Sequence, residues 1–155
     1  MEITELEKNL GHIFVNDKLL ERALTTNMWV NEHNKDIPDS ERIQSQEAFS
    51  TLGDAVLKLI LVDKLIAKGI EDSGIITEEK KDAENNKTLS RISRKFIVGK
   101  FMKMGIGEKK QKIYDNDKNL ADTLEALIGA IYLDVGFYAA KEVIMKWPEF
   151  ESLIV

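Results

Sequence analysis

The sequence predicts an all-α domain, and three observations carry that expectation. Apolar residues recur at helical spacing in two long runs, Phe49, Leu52, Val56, Leu59 and Ile60 in FSTLGDAVLKLIL, and Leu120, Leu124, Leu127, Ile128 and Ile131 in LADTLEALIGAIYLDVGF. No stretch keeps the apolar-polar alternation of a half-buried strand. Glycines, two prolines and short polar turns separate the segments, with no repeat and no low-complexity tract. At 155 residues and 43% hydrophobic, the chain suits one well-buried domain over 1–155.

LEKNLG at 6–11 and DKLLERALTT at 17–26 open the domain as two short helices, the second with Leu19, Leu20, Ala23 and Leu24 on one side. The polar run from Asn31 to Ser45 contains Pro38 and reads as a loop or a broken helix. A long helix covers 46–68 and stops at Gly69. EDSG at 71–74 turns into a helix over 75–85 rich in lysine and acids, and an amphipathic helix over 87–97 follows with Leu89, Ile92, Phe96 and Ile97. Gly99, Gly105 and Gly107 mark turns around a short helix, VGKFMKM. After the loop YDNDKN, a central helix runs over 120–134, and AAKEVIMKW closes the domain before Pro148.

Composition narrows the chemistry. The absence of cysteine excludes a disulfide framework, a thiolate zinc site and a cysteine nucleophile, which points any metal site to oxygen ligands. The start, MEITELEKNL, has no positive n-region or apolar h-region, and the longest apolar run, LILV at 59–62, is far too short to span a bilayer. A soluble cytoplasmic protein without membrane contact is expected. The net charge of −5 hides an uneven distribution. Residues 91–112 hold Arg91, Arg94, Lys95, Lys100, Lys103, Lys109, Lys110 and Lys112 against the single acid Glu108. His12 and His33 lie in polar, turn-like surroundings and read as surface residues, Trp29 and Trp147 as packing residues, and the glycines of GIG at 105–107 as a turn.

The chemistry starts from an oddity in the long helix. Gly53 and Asp54 stand beside its buried face, where glycine costs about 1 kcal/mol against alanine and an unpaired carboxylate costs more. Packing explains a glycine; the acid needs a partner or a cation. On the central helix, Asp122 and Glu125 at i and i+3 share one face. Taken alone, they read as first-turn acids that favour the helix macrodipole. Set beside Asp54, three carboxylates repel one another unless a divalent cation compensates, and an all-oxygen set suits magnesium or manganese. Such a site activates a water and stabilises charge on a phosphate. With a basic segment to hold a nucleic-acid backbone, this is the equipment of a metal-dependent nuclease.

LGDAVL at 52–57 and ADTLEALIGAIYLDVGF at 121–137, in that order, resemble the ribonuclease III catalytic domain. LEKNLGHIFVNDKLLERALTT is similar to that family's opening helices, and GIITEEKKDAENNKTLSRISRKF to its segment of glycine, threonine, basic residues and asparagine. The likeness covers about residues 5–146. It implies an all-α homodimeric domain that cuts double-stranded RNA with magnesium and leaves 5′-phosphate and 3′-hydroxyl ends, each subunit supplying one active site. By position, Asp54 matches the signature-helix aspartate, Asp122 the aspartate of the second motif and Glu125 its metal-binding glutamate. Glu47 matches the glutamate that starts the signature helix, and Lys80 a basic residue after the threonine. Lys80, Arg91, Arg94 and Lys95 are the expected RNA contacts.

The chain departs from the family pattern at three places. Where the resemblance expects glutamate and phenylalanine before Leu-Gly-Asp, Ser50 and Thr51 stand. The missing glutamate is a metal ligand in the standard enzymes, and Ser50 can at most hold a metal-bound water. The missing phenylalanine normally packs into the partner subunit. Ser73 stands where an acid often precedes the glycine, with Asp72 beside it. Miniature relatives of ribonuclease III resemble this chain in lacking the first glutamate and an attached RNA-binding domain, yet they cleave. The expected function is therefore a metal-dependent endoribonuclease whose grip on substrate comes from the domain itself or a partner. Two alternatives stand beside it, a non-catalytic RNA-binding or ribosome-associated relative that keeps the fold, and a helical interaction protein without RNA.

Overall fold

The computed structural model describes residues 2–152, and among them the fold is helical with no strand. The order is α1 (Glu2–Leu10), α2 (Asp17–Ala23), α3 (Asn27–His33), α4 (Glu47–Ala67), α5 (Ser73–Glu84), α6 (Asn86–Lys95), α7 (Ile106–Lys110), α8 (Asp117–Val135), α9 (Phe137–Ile144) and α10 (Pro148–Ser152), with single 3-10 turns at 39–41, 98–101 and 113–115. No helix among the described residues is long and apolar enough to cross a membrane.

α4 and α8 form the centre, and α2, α6 and α9 pack around α8. Their contact is close because glycine is placed opposite backbone. A Cβ at Gly53 would come within 1.6 Å of the Glu125 carbonyl oxygen, and one at Gly129 within 2.4 Å of the Phe49 carbonyl oxygen. Space is what requires both glycines. Phe49, Val56, Leu57 and Ile60 of α4 then bury against Leu120, Leu124, Leu127, Ile128 and Ile131 of α8, whereas Leu59, which the spacing put on the buried face, is exposed because Leu57 takes that place.

The boundaries differ from the sequence expectation where capping decides them. The Thr26 hydroxyl accepts from the Trp29 N–H and starts α3, so the helix foreseen over 17–26 ends early and a second fills part of the polar run. Asn116 accepts from the Asn119 N–H and starts α8 three residues before Leu120, so Asp117, not Asp122 or Glu125, is the acid in its first turn. The macrodipole reading of Asp122 and Glu125 is therefore withdrawn. The helix foreseen over VGKFMKM is only the 3-10 turn at 98–101, and α7 and α10 were not foreseen.

The surface reading of His12 is also corrected. Its ring is mostly buried, with Nε2 2.8 Å from Asp134 Oδ2. The Val15 and Asn16 N–H groups donate to the same carboxylate at 2.9 and 3.0 Å, which pins the loop before α2 to the end of α8. His33 is exposed and stacks on Trp29 at 3.7 Å. Trp147 is buried and donates through Nε1 to the Leu10 carbonyl at 2.8 Å, so it serves packing as expected.

Candidate active site

The three acids singled out by sequence lie on the two central helices, Asp54 on α4 and Asp122 and Glu125 on α8, all half-buried. Asp54 and Glu125 are brought into hydrogen-bond contact, and the charge of Asp122 also acts on Glu125. Burial first, then the hydrogen bond with Asp54, then the charges of Asp54 and Asp122 push the Glu125 carboxyl up to about 8, so it keeps its proton at neutral pH. Rigid helix packing thus holds a carboxyl where its charged form is disfavoured.

The other two acids are met by lysines one turn away. Lys58 Nζ lies 2.9 Å from Asp54 Oδ2, and Lys118 Nζ lies 2.9 Å from Asp122 Oδ2. Sequence reasoning did not single out either lysine, although both are legible as opposite charges at i and i+4. Among the described residues no three acidic or histidine side chains are gathered as a bound metal would need them. The donors themselves are all oxygen and crowded enough to raise Glu125, the donor chemistry that suits a hard cation.

Ser50 stands where the two central helices meet. Its hydroxyl donates to the Asp122 carbonyl and so ties α4 to α8 beside the acids. It lines a polar cleft of about 440 Å³ with Thr26, Glu47, Thr51, Lys118 and Asp122. Glu47 is exposed in the first turn of α4, at the rim of this cleft.

The basic segment is not one bare positive face. Arg94 pairs with Asp115 and Asp117 at 3.3 and 2.7 Å, Lys95 with Glu149 at 3.0 Å and Lys80 with Glu84 at 3.3 Å. Of the four expected RNA contacts, Arg91 alone is exposed without an acidic partner among the described residues, its Nε pointing to the Lys87 carbonyl. Lys109 and Lys110 on α7, and Lys112 just beyond it, are exposed and have no acidic partner among the described residues. Glu108 of that helix lines the cleft, so this free positive charge stands next to it.

Comparison with known proteins bears on the whole arrangement. A family model described as Ribonuclease-III-like matches residues 16–148. The chain is 37% identical over 147 residues to Ribonuclease 3 of Dehalococcoides mccartyi, covering 94% of this chain and 60% of that protein. It is 31% identical over 156 residues to Ribonuclease 3 of Nitratidesulfovibrio vulgaris, covering 99% and 59%. The chain thus spans about three fifths of the length of these relatives. Two structures of the nuclease domain of ribonuclease III from Campylobacter jejuni match with TM-scores of 0.82 and 0.81 at 29% and 30% identity. They cover 97% of this chain and 96% and 94% of theirs, and the first concerns flexibility in a region involved in dimer formation of that protein.

Proposed function

The chain belongs to the ribonuclease III family, and from that premise we propose that it is an endoribonuclease of double-stranded or structured RNA. Asp54, Asp122 and Glu125 would hold a divalent cation, magnesium or manganese. The observation that carries this reading is the close packing of α4 on α8, which sets Asp54 beside Glu125 with Asp122 one turn away, because a cation relieves the repulsion of carboxylates crowded at a helix interface. When bound there, such a cation supplies the charge that activates a water and offsets negative charge developing on a phosphate.

The chain's own residues present the acids and hold the substrate. Gly53, Gly129 and the Ser50 hydroxyl set α4 against α8, so the carboxylates come from two rigid elements. Arg91, Lys109, Lys110 and Lys112 meet the phosphate backbone, Arg94 exchanges its exposed acidic partners for phosphate at little cost, and Lys95 does so by leaving the half-buried Glu149. Such contacts read the A-form shape of a duplex and not its bases. The exposed apolar residues Leu59 and Ile66 of α4 support a homodimer.

The test is cleavage of a labelled RNA duplex with magnesium or manganese, run beside Glu125→Gln. The wild type is expected to cut the duplex into short products, and the variant to lose about 100-fold or more of that rate. Binding without cutting in both metals would sink the enzyme and favour the non-catalytic RNA-binding alternative.

A further inference from the structure

Lys58 sits among three acids from three helices and touches one of them. Its Nζ rests on Asp54 Oδ2 at 2.9 Å. The hydrogen bond to Asp54 foremost, then the charges of Asp54, Glu84 and Glu125, hold the ammonium above the usual lysine range against an opposing effect of burial. Glu84, at the end of α5, gives one oxygen to Lys80 at 3.3 Å. Its other oxygen, Oε2, is buried and has no hydrogen-bond partner among the described residues. An orphaned carboxylate oxygen is costly to bury, so a structure that keeps one needs a state in which it is met. The i and i+4 pair of Lys58 with Asp54 leaves that oxygen unmet.

We propose that Lys58 is a positioning residue that neutralises Asp54 while the site is empty of metal and passes its ammonium to Glu84 Oε2 when a divalent cation binds. This rests on the reading of Asp54, Asp122 and Glu125 given above. Lys58 competes with the cation for Asp54, and Glu84 lowers the cost of losing that competition by receiving the displaced charge. The two ends of the exchange are linked: whatever stabilises Lys58 on Glu84 tightens the cation, and the cation moves Lys58 by the same free energy. Lys58 also keeps a positive charge beside the site in both states, which limits repulsion between the acids and an incoming phosphate.

The test is equilibrium binding of Mn2+ to the whole chain without RNA, read from the electron paramagnetic resonance of free Mn2+, with circular dichroism checking the fold of each variant. Lys58→Met, which removes the competitor from a half-exposed position, is expected to tighten Mn2+ by about fivefold. Glu84→Gln is expected to weaken it by about fivefold in the wild type, and by less than about twofold in the Lys58→Met background. Equal weakening in both backgrounds would make Glu84 a plain through-space charge and overturn the exchange. So would Mn2+ affinity that Lys58→Met leaves unchanged or weakens. If Mn2+ binds, is weakened by Glu125→Gln and ignores both Lys58 and Glu84, the exchange alone falls. If no Mn2+ binds to the wild type or to Lys58→Met, the site reading falls and the exchange with it.

Discussion

A single carboxylate, Asp134, shows how much one residue can organise. Its side chain is 2% exposed and accepts from the Val15 and Asn16 N–H groups and from His12. Burial is the largest influence on it and pushes its carboxyl up, yet the three donors together outweigh burial and hold it below the usual carboxylate range. A depressed folded-state value means that this stability is fully present above the unfolded value near pH 4 and is lost as pH falls through the lower folded value. Asp134→Asn is therefore expected to cost about 2 kcal/mol at pH 7, and the gap to wild type should close below about pH 4. Urea titrations from pH 7 down to pH 3 read the trend, and a gap that does not narrow as pH falls below about 4 would refute the charge as its source.

Between helices, spacing is the controlling quantity, and α4 against α8 is the pair that matters. Gly53→Ala would drive a methyl into the Glu125 carbonyl, an atom that cannot swing aside because it belongs to the middle of a 19-residue helix. Separation of the helices should cost about 3 kcal/mol, visible as a fall in melting temperature, and should also pull Asp54 from Glu125. A variant as stable as wild type would mean that the two backbones are not held this closely. Much of this was legible in sequence. Phe49, Val56 and Ile60, with Leu124, Leu127 and Ile131, announced two buried helix faces by period, and the all-α class followed. Gly53 advertised a close approach, but only the fold names the Glu125 carbonyl as what it approaches. The starts of α3 and α8 were missed because Thr26 and Asn116 act through one side-chain hydrogen bond each, which leaves no periodic trace. The acids Asp54, Asp122 and Glu125 were legible from spacing and resemblance together. The neutralisation of Arg94 and Lys95 was not, because Asp117 and Glu149 lie far along the chain from them or across a turn.

At the scale of the molecule, α4 is apolar on two sides, and one core can cover only one of them. Phe49, Gly53, Val56, Leu57 and Ile60 face α8 and the interior, while Thr51, Ala55, Leu59 and Ile66 are exposed, with Val62 partly so, along the opposite side. Leu59 and Ile66 each remain 56% exposed, two turns apart on one side of the helix with Val62 between them, which is costly for large apolar side chains. A second copy related by a two-fold axis would cover the stripe with itself, each α4 meeting the other. Thr51 offers this contact less apolar area than the phenylalanine of the family pattern, so the association should depend visibly on concentration. Leu59→Glu places one charge on each side of a two-fold contact, and the two acids then face each other in every dimer. Its dissociation constant should rise by about 10- to 100-fold, a cost of about 1.4 to 2.8 kcal/mol. Sedimentation equilibrium over a concentration series reads this directly. A wild type that stays monomeric at the highest concentration, or a dimer indifferent to Leu59→Glu, would show that the exposed side of α4 is not where two copies meet.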